Sequence, residues 1–205
     1  MSNITTKDFS KLNLSKNIVP ANVLSTFVRT VENYTQSINT AVSHNENEEH
    51  IKNIINDFLR MSFYSDSKFT INTDGYIDSA IKEKNSLLAI IEFKTPKNIL
   101  EMVTKENINK KALWEAVYYY LDRTIDVFQT KAMVSVKSEV RRLIITDGLR
   151  WFLFDAADIH KITDGTIEDR FFKYKKDKLP YSNDTSAFYE ELKQHFEKIG
   201  ITDEL

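Results

Sequence analysis

GYIDSAIKEKNSLLAIIEFKTP, residues 75–96, decides how this chain folds. Two apolar runs, Tyr76 to Ile81 and Leu87 to Lys94, flank the polar stretch Lys82 to Ser86. The pattern predicts a β-hairpin whose second strand is stopped by Pro96, which has no N–H to give to a ladder. Leu88, Ile90, Glu92 and Lys94 follow at steps of two, so a strand places all four on one face. An apolar sheet face would then end in a carboxylate and an ammonium, side by side. Burying such a pair is costly unless it coordinates something or does chemistry. Asp78 ends the apolar part of the preceding strand and can supply a second carboxylate. Two carboxylates and a lysine can hold a divalent cation and activate a water against a phosphodiester. The competing reading is a hairpin end carrying a surface ion pair. Leu87-Leu-Ala-Ile-Ile91 favours the first, because it reads as a central strand buried on both faces.

Working outward, Phe69 to Asn72 is a short strand joined to the hairpin through the Asp74-Gly75 turn. Upstream, Pro20, Ala21, Val23, Leu24, Phe27, Val28 and Val31 predict a helix that runs to about Val42. Ser43 to Asn47 is a polar break. Ile51, Ile54, Ile55, Phe58 and Leu59 then mark one face of a second helix opening at Glu48. Downstream, Ala112 to Arg123 is the core of a long amphipathic helix. Arg142 to Thr146 and Trp151 to Asp155 are strands around Asp147-Gly148, a strong hairpin signal. Phe188, Leu192 and Phe196 mark a last helix over 184–199, ended by Gly200. Phe171 to Tyr174 gives no decisive pattern. The order of elements predicts one α/β (α+β) domain with a central mixed sheet of about four to five strands flanked by helices.

Bulk properties narrow the function classes. The 205 residues include 41% apolar ones, four Gly and three Pro, so one domain with a sizeable core is expected. The absence of Cys excludes disulfides, thiolate zinc sites and cysteine nucleophiles. No apolar stretch approaches a membrane span and the start has no signal core, so a cytoplasmic protein is expected, with no membrane partner. His44, His50, His160 and His195 show no metal-ligand spacing, and with four Gly there is no phosphate-cradling loop. Nucleoside-triphosphate and dinucleotide enzymes are disfavoured. A net charge of −2 argues against a self-sufficient DNA binder, but less against a catalytic module. Lys173 to Lys178, and Lys131, Lys137, Arg141 and Arg142, read as solvated surface.

NEEHIKNIINDFL, IDSAI, IEFKTPKN and NINKKALWEAVYYYLDR follow one another in this order. Together with Asp78, Glu92 and Lys94 they resemble the PD-(D/E)xK nuclease superfamily. The narrower likeness is to the N-terminal nuclease domain of type IIG restriction–modification enzymes. The resemblance covers about residues 46–155. Ile77 stands where a Pro is expected. It implies a restriction-endonuclease-like core and a Mg2+-dependent endodeoxyribonuclease, with Mn2+ as substitute. Asp78 and Glu92 would ligate the metal, with the backbone carbonyl of Phe93 as a third ligand and Lys94 beside the attacking water. An acid on the first core helix is also implied. Glu48 and Glu49 both qualify, and Glu48 is favoured because it shares a face with Ile51 and Ile55. Glu48 would reach the metal through water, whereas Glu49 would point with Lys52 and Asn53 toward solvent. The Gln that such nucleases carry four residues before a Tyr is replaced here: Glu115 and Tyr119 stand at that spacing.

The expected organisation is an arm and helix over 1–45 and a nuclease domain over 46–205 with core 46–155. No Asn-Pro-Pro-Tyr motif and no Gly-rich cofactor loop is present. The resemblance therefore implies a fragment of a longer protein, with covalently linked methyltransferase and specificity domains absent from this chain. DNA is the expected partner, with a transient dimer on it for double-strand cutting. The alternative is a catalytically silent nucleic-acid-binding or assembly module that keeps the fold.

Overall fold

A computed structural model describes residues 19–125, 139–163, 165–177 and 185–201. The expected arm over 1–17, and Lys131, Lys137 and Lys178, lie outside the described residues. Helix α1 (Ala21–Ser43) starts after Pro20, whose missing N–H costs nothing at a helix start. Helix α2 (Glu48–Ser62) is capped by Asn47, whose side chain accepts the His50 N–H at 2.8 Å. Its apolar stripe Ile51, Ile55 and Leu59 is buried.

Three antiparallel strands follow: β1 (Phe69–Asp74), β2 (Ile77–Glu83) and β3 (Ser86–Phe93). Strand β2 continues to Glu83, so the expected five-residue loop shrinks to Lys84-Asn85, with Lys84 at φ 56°. Helix α3 (Lys111–Thr124) crosses over to β4 (Arg142–Thr146), which pairs parallel with β3, as a connection of that length permits. Strand β5 (Trp151–Asp155) returns antiparallel. The sheet order is β1-β2-β3-β4-β5, so β3 is central, flanked on both sides. Helices α4 (Ala156–Thr163), α5 (Thr166–Asp177) and α6 (Ser186–Lys198) close the described fold. Neither α4 nor α5 was expected. Phe171, which gave no decisive pattern, is fully buried on α5.

Alternation along the strands divides the core into two layers. Ala80, Ile90, Leu143, Ile145 and Phe154 pack with α3 and the later helices. Ile71, Ile81, Ala89, Ile91, Phe93 and Ile144 pack with α1 and α2. The result is a mixed sheet between helical layers, an α+β fold. One expected alternation fails. Between Ile81↔Ala89 and Lys82↔Leu87 the register shifts, leaving Leu88 as an extra residue on β3. Leu87 therefore packs into the cluster that holds Ile90. At the β4–β5 turn, Gly148 has φ 85° and lies so close to α1 that a Cβ would come within 2.9 Å of Ile38 Cδ1. Only glycine accepts both conditions. Among the described residues no helix is long and apolar enough to cross a membrane.

Candidate active site

The end of β3 carries the chemistry. Glu92 is the last residue but one of the central strand and is 2% exposed; Lys94, one residue beyond the strand, is 7% exposed. The Lys94 backbone N–H donates to the Thr146 carbonyl at 3.1 Å, which prolongs the β3–β4 pairing and fixes where the side chain departs. Its ammonium reaches Glu92 Oε1 at 2.5 Å and Glu115 Oε2 on α3 at 2.7 Å. Glu92 Oε2 is buried and has no hydrogen-bond partner.

Asp78 comes from the start of β2. Its Oδ2 accepts the Phe93 backbone N–H at 3.0 Å, bridging the two strands at the cluster. Glu48, at the first turn of α2, is half-buried, and Glu49 is exposed. Glu48 is the helix acid whose charge is felt at the cluster: Lys94, Asp78 and Glu115 all act on its carboxyl. Four acids, Glu48, Asp78, Glu92 and Glu115, thus share one end of the sheet.

The electrostatics reflect crowding and burial. Burial raises the Glu92 carboxyl well above the ordinary range; Asp78 and Glu115 push the same way and Lys94 opposes them. Burial also raises Asp78, against the Phe93 N–H, Lys94 and Lys52. Glu48 is raised by burial, with Lys94 opposing and the neighbouring acids adding. For Lys94, burial works against the charged form, but Glu92 and Glu115 outweigh it and hold the ammonium above its usual range. Tyr119 on α3 and Tyr189 on α6 are raised by burial and by the Glu92 and Glu115 charges.

Three of these placements depart from the sequence reading. Lys52 does not point to solvent: it is 8% exposed, pairs with Glu49, and its charge acts on Asp78. The signal was available, since Lys52 lies one turn beyond Glu48 on the face that holds Ile51 and Ile55. Glu115 is a direct partner of the lysine, although it stands where the resemblance expects Gln. Tyr189 had no local signal, because it reaches the cluster from a helix over seventy residues away in the chain. Tyr118 and Tyr120 are buried packing residues. Outside the cluster, Arg142 pairs with Asp155 at 2.7 Å and Lys175 with Asp122 at 2.5 Å. Those two basic side chains are engaged with the protein's own acids.

The carboxylates fit a hard cation. Oxygen donors from Asp78 and Glu92 suit Mg2+ or Mn2+, and the unpartnered Glu92 Oε2 is a buried atom that such an ion would satisfy. Among the described residues, no group of three or more His, Asp or Glu is placed to hold a metal ion. In this arrangement Lys94 bonds Glu92 and the Phe93 N–H bonds Asp78.

Fold and site together define a mixed α+β domain with a buried acid–lysine cluster at the end of its central strand. The family model described as "Domain of unknown function (DUF7149)" matches residues 4–204, and the chain belongs to that family. No curated protein and no solved structure matches it.

Proposed function

We propose that this domain is a divalent-metal-dependent endonuclease that hydrolyses DNA phosphodiester bonds, the cleavage module of a cytoplasmic restriction–modification enzyme. One observation carries the reading: Asp78, Glu92 and Lys94, which carry the nuclease resemblance, meet at one end of the sheet with Glu48. There Glu92 and Lys94 are buried in contact and one Glu92 oxygen has no partner. A buried acid with an unpaired oxygen is a cost to the fold that a bound cation would offset.

Asp78 and Glu92 would hold Mg2+, with the Phe93 carbonyl as a further donor and Glu48 through water. When bound, the ion would supply charge stabilisation and an acidified water. The chain's own residues do the rest. Lys94, kept charged by two carboxylates, donates hydrogen bonds to the attacking water or to a non-bridging phosphate oxygen, and offsets the charge that develops there. As an ammonium it orients the nucleophile. Asp78, through the Phe93 N–H, holds the ends of β2 and β3 at a fixed separation.

The second reading, a catalytically silent nucleic-acid-binding or assembly module, is favoured because no three acids or histidines among the described residues are placed together to hold a metal ion. Crystals soaked in Mn2+ separate the two. Anomalous density between the Asp78 and Glu92 carboxylates, with Mn2+-dependent cleavage of plasmid DNA that Glu92→Gln removes, is expected. Crystals that bind no Mn2+ at these residues would overturn the nuclease proposal.

A further inference from the structure

Lys94 has two carboxylate partners, and only one of them is a proposed metal ligand. Glu92 lies 2.5 Å from the ammonium and Glu115 lies 2.7 Å from it. Glu115 is itself tied on its far side. Lys111, one turn earlier on α3, is 3.7 Å away. Lys111 in turn lies 2.8 Å from Glu101, which also accepts the Asn98 amide at 2.9 Å. Glu92, Lys94, Glu115, Lys111 and Glu101 therefore form a line of alternating charges. It runs from the central strand through α3 to the loop over 94–110.

The two partners differ in what they are free to do. Both Glu115 oxygens face a lysine, Oε2 toward Lys94 and Oε1 toward Lys111, whereas Glu92 meets Lys94 through Oε1 alone and leaves Oε2 without a partner for a cation to draw on. Lys94 sits just past the end of its strand on a long, flexible stem. Left with Glu92 alone, it would lose its fixed position whenever Glu92 took another ligand. Glu115 stands on a helix whose neighbouring Ala112 and Ala116 are fully buried, so its backbone is held.

We infer that Glu115 is a positioning residue, which keeps Lys94 in place from α3 while Glu92 turns to another ligand. Its chemical consequence rests on the nuclease reading; the anchoring itself does not. Two measurements separate them. In a crystal structure of Glu92→Gln, where the strand carboxylate is removed without any metal, Lys94 Nζ should remain within about 3.5 Å of the Glu115 carboxylate. A Lys94 turned away from Glu115 in that structure overturns the inference.

In DNA cleavage with Mn2+, Glu115→Ala should lower kcat about 10–100-fold, the cost of a misplaced catalytic group. KM for DNA and the half-saturating Mn2+ concentration should not change, and Glu115→Gln, which keeps an acceptor oxygen, should recover most of the rate. An unchanged kcat, or an effect confined to KM, overturns the role in cleavage. If Glu115→Ala fails to fold by circular dichroism, Glu115→Gln against Glu115→Leu gives the same comparison. If the wild type cuts no DNA, the nuclease reading fails alone, and the Glu92→Gln crystal still decides whether Glu115 holds Lys94.

Discussion

Two buried acids lie close together in this fold, and their surroundings could hardly differ more. Asp147, at the β4–β5 turn, is 1% exposed and fully engaged. Its Oδ1 accepts the Leu149 and Arg150 N–H groups at 3.0 and 2.7 Å, and its Oδ2 takes the Arg150 Nε at 2.8 Å. Glu92, on the adjacent strand, is 2% exposed, shares one oxygen with Lys94, leaves the other without a partner, and faces further acids. Asp147 has the environment of a residue that stabilises a turn. Glu92 has the environment that the proposed metal site requires, a buried oxygen with no partner among neighbouring acids. Burial of a carboxylate alone does not single out a residue; burial with unsatisfied bonding capacity and excess like charge is what makes Glu92 the candidate.

The sharpest way to break this comparison is to neutralise each acid. Glu92→Gln should reduce Mn2+-dependent DNA cleavage by about a hundred- to a thousandfold, read in a plasmid-nicking time course, with no loss of thermal stability. Retained cleavage would remove Glu92 from the chemistry. Asp147→Ala should act the other way. It strands two turn N–H groups and one arginine, costing about 3 kcal/mol, or a fall of roughly 6–12 °C in Tm for a domain of this size. A Tm within about 2 °C of wild type would mean that the turn does not need its acid.

Metal binding gives the next effect. At a hundred times Kd, Mn2+ should stabilise the wild type by about 2.7 kcal/mol, a rise of roughly 5–10 °C in a calorimetric scan. Asp78→Ala should abolish the rise and Asp147→Ala should keep it. Loss of the rise in both variants, or in neither, would erase the distinction drawn here.

A smaller effect follows from pH. Glu48, Asp78 and Glu92 are all raised in the folded state by burial and mutual repulsion. The native state therefore keeps protons that the unfolded chain has released. Their stabilising contribution is complete at low pH and is lost as pH climbs through the raised folded values. Metal-free Asp78→Asn, which keeps an acceptor for the Phe93 N–H, should therefore melt above wild type at neutral pH. The gap should close in mildly acidic buffer. A gap that does not change with pH would point to packing as its cause. The smallest expected effect on cleavage is that of Glu49→Ala, which removes the partner of the buried Lys52 and so lowers stability by about 1–2 kcal/mol but leaves the cleavage rate unchanged. Glu48→Ala should slow cleavage. Equal activity of these two variants would remove Glu48 from the cluster's function.

Much of the fold was legible because it is written in local periods. The step of two along Ile90, Glu92 and Lys94, the helical stripe Ile51, Ile55 and Leu59, and the Asp147-Gly148 turn each depend on residues a few positions apart. Helix α5 was not legible: its buried face rests on Phe171 within a strongly charged segment, and α4 is barely two turns long.

The sequence by itself determined which strand is central, and which face carries Glu92 and Lys94 toward Asp78, because side-chain direction in a strand follows from position alone. Tertiary structure decided the rest. The bulge at Leu88 arises from pairing between strands, and the burial of Lys52 from the packing of α2 against the sheet. The second carboxylate on Lys94 comes from a helix 21 residues away in the chain. Each is a contact between elements whose separation in sequence carries no period, so only the packed chain, where burial makes a charge choose its partner, could assign it.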